Sequence, residues 1–394
     1  MFGYFRRVKS SLGAMIVGFL MVPGAIVLHG WNEYRTVHRT RGLVEAAELV
    51  ETISDPNAVD SSREGKLVHL TGLAETDETL EDPEFNVSLP AIHLARRVEM
   101  FQWHEKKKSK NNSSSNSKHT ATYTYNQTWS SNVANSDRFH RSAGHENPPM
   151  RYPNREVMAK HVNVGAYALN KPLKRGMQDW QPMEFRGNDF IESVPESERN
   201  QFLMQGNQLY WSSSVPRPNE PQIGDLRIRF EKVEPGTVSL IAQQNGETFS
   251  QFHTSNGEPI QRLYMGSLTA TEVIGKLTTE NTVTAWVLRA VGLALSVIGF
   301  SMILKPLSAV ASFVPLLGDF TGAVLFLIAA LMGVIVSCIV IGLSWIAVRP
   351  LLGIALLALS AVAIYVVIRL KKKSHPLDHP MDEPELVDPS MFVQ

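Results

Sequence analysis

Residues 12–28 form an uncharged apolar run near the start of the chain, residues 29–284 are predominantly polar, and apolar runs return at 285–304, 322–348 and 351–368. At about 1.5 Å per helical residue, each run crosses most or all of a bilayer core of roughly 27–30 Å. The pattern predicts an α+β protein, with a sheet-rich extracytoplasmic domain between one N-terminal and three C-terminal transmembrane helices. Arg349 and Pro350 alone separate the last two runs, which calls for a tight helical hairpin. The stretch from Pro306 to Leu317 is apolar but contains a second proline, Pro315. It reads as an interfacial or re-entrant connection within 305–321 rather than as a fifth span.

A secretory leader is the rival reading of the first run, because Arg6, Arg7 and Lys9 precede it. The residues that follow, Val27-Leu28-His29-Gly30-Trp31, are bulky where a signal peptidase requires small side chains, so an uncleaved anchor is favoured. Basic residues also follow the last run, at Arg369, Lys371, Lys372 and Lys373. Positive charge at both outer ends places 1–11 and 369–394 in the cytoplasm and the large domain across the membrane. Arg349 falls on the opposite side, at a hairpin tip where one charge weighs little. Trp31, Tyr34 and Trp286 sit near the outer interface, where amphipathic rings are favoured.

Within the polar part, strand-like runs occupy 66–73, 87–94, 97–103, 121–129, 207–211, 225–233 and 237–243. Alternation places Tyr123, Tyr125, Gln127 and Trp129 on one face. Apolar positions at helical spacing predict helices over 32–50, leaving the membrane, and over 157–169. The charged and Asn/Ser-rich stretch 106–119 reads as a flexible hairpin tip, and 171–199 as surface connection with short helical turns. Thr269 and Glu272 have capping-box spacing and start a helix that feeds the second span. A weak internal echo joins Gly65-Lys66-Leu67-Val68 to Gly206-Asn207-Gln208-Leu209.

The formal net charge of the 394 residues is zero, so no global field recruits nucleic acid. The only cysteine, Cys338, lies in an apolar run, which excludes a disulfide or a thiolate zinc site from the domain. No Gly-x-Ser-x-Gly, P-loop or dinucleotide fingerprint occurs, and no cofactor is expected.

Certain residues carry candidate chemistry. His145-Glu146 pairs a base with a carboxylate, but Gly144 and Pro148 around it suit a rigid turn and the helical His-Glu-x-x-His spacing is missing. His93, His104, His119, His140 and His161 are scattered without ligand spacing, so a metal is not expected. Glu99 shares a strand face with Phe101 and Trp103, and Arg96 or Arg97 offers it an ion-pair partner. Arg289 lies about one turn inside the second span; it either snorkels to the interface or pairs with Glu33 beside the first span. Gly292, Ser296, Gly299, Gly333 and Gly342 permit close helix approach, which packing within one chain explains. Asn86-Val87-Ser88, Asn126-Gln127-Thr128 and the overlapping triplets at Asn111 and Asn112 have glycosylation spacing, which matters only in a eukaryotic lumen.

Several segments resemble the LUMA family of transmembrane proteins: Asn32-Glu33-Tyr34-Arg35, Gly65-Lys66-Leu67-Val68-His69, Leu89-Pro90-Ala91-Ile92, Val98-Glu99-Met100-Phe101-Gln102-Trp103, Gly144-His145-Glu146-Asn147-Pro148, Ile223-Gly224-Asp225-Leu226-Arg227, Trp286-Val287-Leu288-Arg289-Ala290 and Trp345-Ile346-Ala347-Val348-Arg349-Pro350. The resemblance covers nearly all of the chain to residue 370 and leaves the acidic, Pro-containing tail from Ser374 outside it. It implies an anchor, a large lumenal domain and three closing spans. It also implies residence in the endoplasmic reticulum and inner nuclear membrane for animal members, with self-association and organisation of the nuclear envelope beside lamina-associated partners. For a prokaryotic relative it implies a cytoplasmic-membrane protein with a periplasmic domain.

The expectation is therefore a non-enzymatic, homo-oligomeric membrane scaffold that contacts the lipid bilayer and other membrane or envelope proteins. Glu33, Glu99, Trp103, His145, Arg289 and Arg349 are its candidate structural or interaction residues. The alternative is a sensor or receptor that binds a ligand in the extracytoplasmic domain and signals to the cytoplasmic side.

Overall fold

The computed structural model describes residues 2–110, 120–184, 194, 196–311, 318–346 and 350–373. It divides into two compact units, residues 1–37 with 284–394, and residues 38–283. Four long helices belong wholly or partly to the first: α1 (Phe2–Leu49), α3 (Ala270–Ala311), α4 (Gly318–Ile346) and α5 (Pro350–Lys373), the short α2 (Lys171–Lys174) lying in the second. Three of them are long and apolar enough to cross a membrane, within Leu12–Leu49, Ala270–Leu307 and Gly322–Ile346, and Leu351–Val366 in α5 is a shorter apolar helix.

The first span and the predicted helix over 32–50 are one helix, and Pro23 inside it does not divide it. α3 begins where the capping box predicts: Glu272 accepts the Thr269 N–H at 2.7 Å, and Thr269 Oγ1 accepts the Glu272 N–H at 3.3 Å. α3 also runs past the expected end at 304, through Pro306 to Ala311, so the connection is shorter than 305–321. A transmembrane helix tolerates such a proline because neighbouring groups satisfy the freed carbonyl. Residues 312–317 and the tip 347–349, including Arg349, lie outside the described residues, as does the tail from 374.

Small residues set the helix spacing in this unit. A Cβ on Gly18 would meet the Gly299 carbonyl oxygen at 2.6 Å, one on Gly333 would meet Val297 at 2.8 Å, and one on Gly353 would meet the Gly342 carbonyl oxygen at 2.7 Å. These contacts bring α1 to α3, α3 to α4, and α4 to α5 at backbone distance, the geometry that small residues allow in lipid. The Gly342–Gly353 approach realises the hairpin predicted for the last two runs.

The second unit is built from two seven-stranded sheets. The first contains β1 (Glu51–Thr52), β2 (Leu67–Glu75), β8 (Asn163–Val164), β9 (Tyr167–Ala168), β14 (Gly236–Asn245), β15 (Thr248–Ser250) and β18 (Arg262–Met265). Its pairings close a ring, β2–β14–β15–β9–β8, leaving β1 and β18 outside. The second contains β5 (His93–Lys110), β6 (Thr120–Ser130), β7 (Arg155–Met158), β10 (Gln181–Pro182), β11 (Phe202–Gln205), β12 (Gln208–Trp211) and β13 (Leu226–Val233), in the order β11-β12-β13-β5-β6. Two hairpins, β3 (Thr79–Asp82) with β4 (Val87–Pro90) and β16 (Phe252–His253) with β17 (Pro259–Ile260), complete the strands among the described residues.

Alternation is clearest in β13, where Leu226, Ile228 and Phe230 are buried on one face, while on the other Arg229 is exposed and Arg227 is half-buried over the Trp129 ring. One hydrophobic cluster joins Leu70 and Leu240 of the first sheet to Val98, Met100 and Phe230 of the second. Phe85 anchors it, packing edge-on against Tyr152 at 4.9 Å and Phe230 at 5.6 Å.

The helix predicted over 157–169 is instead parts of β7, β8 and β9. Gly165 turns the chain at φ +58, and a Cβ there would fall 2.2 Å from the Pro56 carbonyl oxygen. That left-handed glycine stops a helix, and Val164 and Tyr167 are buried as strand residues. β5 also extends to Lys110, into the stretch assigned to a hairpin tip, whose remainder at 111–119 lies outside the described residues. Of 171–199, α2 and a 3-10 turn at Glu196–Gln201 are helical, as expected, but β10 adds a strand. Gly65 and Gly206 both adopt positive φ before a strand, although β2 and β12 belong to different sheets.

Candidate functional site

Three helices of the first unit bring polar groups together inside an otherwise apolar bundle. On α1, His29, Asn32 and Glu33 follow helical spacing along one face and are all buried. α3 contributes Trp286, Arg289 and Ser296, and α4 contributes Ser337 and Trp345.

Arg289 and Glu33 form a bidentate pair: Nε donates to Glu33 Oε1 at 2.6 Å and Nη2 donates to Oε2 at 2.8 Å. Trp345 Nε1 donates to the same Oε2 at 2.6 Å. The guanidinium carbon lies 4.9 Å from the Trp286 ring centroid and 5.0 Å from that of Trp345, so the cation is flanked by two aromatic faces. An isolated arginine at a helix centre costs roughly 2.5–3.5 kcal/mol by insertion scales. Here bidentate geometry, a third donor and two π faces offset that cost. Of the two readings open to Arg289 from sequence, the structure holds the ion pair, with the Glu33 side chain 1% exposed.

Beside this pair, His29 Nε2 and Ser337 Oγ share a hydrogen bond of 3.0 Å, and Asn32 Nδ2 donates to the Ala285 carbonyl at 3.1 Å. Gly292 makes room for the imidazole, since a Cβ there would lie 2.6 Å from His29 Cε1. His29 Nδ1, Asn32 Oδ1 and Ser296 Oγ are buried without a hydrogen-bond partner among the described residues. Both carboxylate oxygens of Glu33 are already held by N–H donors. What this arrangement does chemically is hold α1, α3 and α4 in one register.

The other sequence-derived candidates lie in the second unit. Trp103 and His145, far apart in sequence, pack edge-to-face at 4.7 Å, and Tyr125 stacks on His145 at 3.9 Å. Glu146 accepts the Gly144 N–H at 3.1 Å, which closes the tight turn that the flanking glycine predicts. Asn147 then completes the β5 edge with its side chain: Oδ1 accepts the Trp103 N–H at 2.7 Å and Nδ2 donates to the Trp103 carbonyl at 3.0 Å. This segment is a structural clasp on β5.

Glu99 does not pair with Arg96 or Arg97. Arg96, itself buried, reaches Asp82 at 3.2 Å and also Glu84, while Arg97 reaches Glu156 and Glu231 at 3.2 Å each. Opposite Glu99 in the β5–β13 register stands Arg227. The sequence proximity of Arg96 misled because its side chain points to the opposite face of β5 from Glu99. Burial raises the Asp82 carboxyl above the usual carboxylate range, and the Arg96 charge opposes that rise.

An open cleft of about 290 Å³ lies where β2 meets the start of α3, lined by Thr52, His69, Thr71, Ser267 and Thr269. His69 Nε2 donates to the Leu268 carbonyl at 3.0 Å, and Thr71 Oγ1 donates to it at 3.1 Å. Burial holds the His69 imidazole below its ordinary range. No three His, Cys, Asp or Glu side chains gather to hold a metal ion among the described residues.

Sequence reasoning missed His29, Asn32, Ser337 and Trp345 as members of the membrane cluster. The available signal was a run of polar side chains on one helical face directly after an apolar span, which is costly unless partnered.

The family described as Transmembrane protein 43 matches residues 100–350. The chain is 28% identical over 376 residues to Transmembrane protein 43 of Homo sapiens and of Pongo abelii, covering 92% of this chain and 92% of each relative. It is 28% identical over 352 residues to the Transmembrane protein 43 homolog of Drosophila melanogaster, covering 87% of this chain and 90% of that one. No solved structure matches.

Proposed function

We propose, on the premise that this multi-pass membrane protein belongs to the transmembrane protein 43 (LUMA) family, that it is a non-enzymatic scaffold: it self-associates and organises a membrane or envelope assembly through its extracytoplasmic domain. The observation that carries this reading is the use made of its reactive side chains. Glu33 and Arg289 neutralise each other between helices, and His145 is wedged between Trp103 and Tyr125. Groups so engaged stabilise a platform instead of turning over a substrate. The relatives bear transmembrane names and no enzymatic one.

In this reading the four apolar helices cross the bilayer, with both chain ends in the cytoplasm and the sheet-rich domain on the far side. Partners are a second copy and other proteins of the same membrane. Mass photometry of the full chain in detergent is expected to give particles of more than one protomer. A strictly monomeric particle with no co-purifying protein would remove the reading.

The sensor reading keeps one specific support, the open cleft beside His69, where Leu268 and Ala270 join the hydroxyls and the imidazole in a mostly apolar lining. A shift in unfolding temperature with a small polar ligand, lost in Thr71→Val, would favour it.

A further inference from the structure

β6 is the outermost strand of the second sheet, and it is unlike the other strands that end a path of pairing. β1, β11 and β18 are 2, 4 and 4 residues long, which is how natural sheets blunt an edge. β6 has 11 residues, paired without interruption to β5 from Met100↔Ser130 to Lys110↔Thr120, and with no other strand among the described residues. Its sequence, Thr-Ala-Thr-Tyr-Thr-Tyr-Asn-Gln-Thr-Trp-Ser, contains no proline and no charge, so the usual guards against edge pairing are missing as well as the bulge. Thr122, Thr124 and Asn126 are exposed on one face, while Tyr125 is tied to the Glu105 carboxylate at 2.7 Å on the other.

We propose that β6 pairs antiparallel with β6 of a second copy of this chain, joining two sheets across a two-fold axis beside Tyr125. This rests on the self-association reading above and assigns it a seat. Charge selects both the occupant and the direction. A neutral strand meets its own copy without like-charge contact. Antiparallel pairing about Tyr125 sets Thr124 opposite Asn126 and Thr122 opposite Thr128 of the other copy. It also brings the basic end of β5, Lys106 to Lys108, alongside Gln102 to His104 of the partner, because these residues lie across from the paired positions of β6. A parallel arrangement would instead align lysine with lysine. An isologous contact of this kind closes at two copies, and the backbone hydrogen bonds of strand addition supply its affinity.

The test uses the full chain in detergent, with oligomer size read by mass photometry over a concentration series. Thr124→Lys with Asn126→Lys sets four ammonium groups across the axis and is expected to weaken dimerisation about tenfold or more. Separately, Thr124→Cys with Asn126→Cys in a Cys338→Ser background is expected to yield a covalent dimer on mild oxidation. This arm decides the matter should the lysine variant fail to fold. A lysine variant that dimerises like the wild type, or a cysteine variant that stays uncrosslinked while dimeric, overturns strand pairing and leaves self-association standing. A wild-type chain that is monomeric throughout overturns both.

Discussion

Arg289 and Glu33 meet side-on, Nε and Nη2 of the guanidinium each on its own carboxylate oxygen, although 256 residues of chain separate them. Removing one member leaves the other buried and uncompensated. Glu33→Leu or Arg289→Leu is expected to cost about 3–5 kcal/mol, read as a lower unfolding temperature in detergent. Exchange of the two, Glu33→Arg with Arg289→Glu, restores opposite charges, so it should recover part of that loss. Equal damage from the exchange and from the single changes would mean the pair contributes no coupling.

Gly292 and Gly24 make opposite forecasts within the same bundle. A methyl group on Gly292 collides with the His29 ring at 2.6 Å, whereas Gly24 has nothing within 4 Å. Gly292→Ala should destabilise the helical unit by about 1–3 kcal/mol through overpacking. Gly24→Ala should leave it unchanged or raise it by about 0.5–1 kcal/mol, since glycine in an exposed helix interior is unfavourable. Detergent thermostability of the two variants, measured together, checks the contrast.

Asn147→Ala removes the acceptor for the Trp103 N–H and the donor to the Trp103 carbonyl. Each polar group left unsatisfied away from water costs about 1–3 kcal/mol. The expected result is a lower midpoint in tryptophan-monitored unfolding. A variant as stable as the wild type would show that water replaces the amide without cost.

The pH response of the second unit should carry a contribution from His69. Its folded pKa lies below the value of 6.5 expected of the free side chain, because burial disfavours the imidazolium. A depressed folded pKa means that this stability is present above about pH 6.5 and is lost as pH falls through the folded pKa. His69→Gln keeps an N–H for the Leu268 carbonyl and cannot titrate. Its unfolding temperature should therefore fall less than the wild type's between about pH 7.5 and about pH 5.5.

Much of the architecture is legible in residue order. The apolar runs, the Thr269–Glu272 cap and the alternation of 225–233 each depend on neighbours within a few positions; the cap and the alternation appear where the pattern puts them, and the apolar runs fall within long helices whose ends differ from the expected ones. The glycines at 292, 299, 333 and 342 likewise mark close helix approach. Misreadings arise where a distant residue decides. The stretch 157–169 reads as a helix from its apolar positions, but Gly165 turns against Pro56, more than a hundred positions earlier, and Val164 and Tyr167 on either side of it lie in strands. Glu99 has two arginines as close sequence neighbours, yet those arginines answer carboxylates on β3–β4, β7 and β13. The membrane cluster is half visible. Glu33 and Arg289 stand out as charges beside apolar runs, while Trp345 and Ser337 carry no charge and join only through the packing of α4.

The pairing across 256 residues also orders events during synthesis. At about 5–20 residues per second, the ribosome needs roughly 13–50 s between making Glu33 and making Arg289. Through that interval the newborn first helix carries an acidic side chain whose cationic mate does not yet exist. The nascent chain must therefore keep that carboxylate protonated, hydrated at the lipid headgroups, or sheltered by the insertion machinery until the distal helices arrive, which makes bundle assembly a late step in its biogenesis.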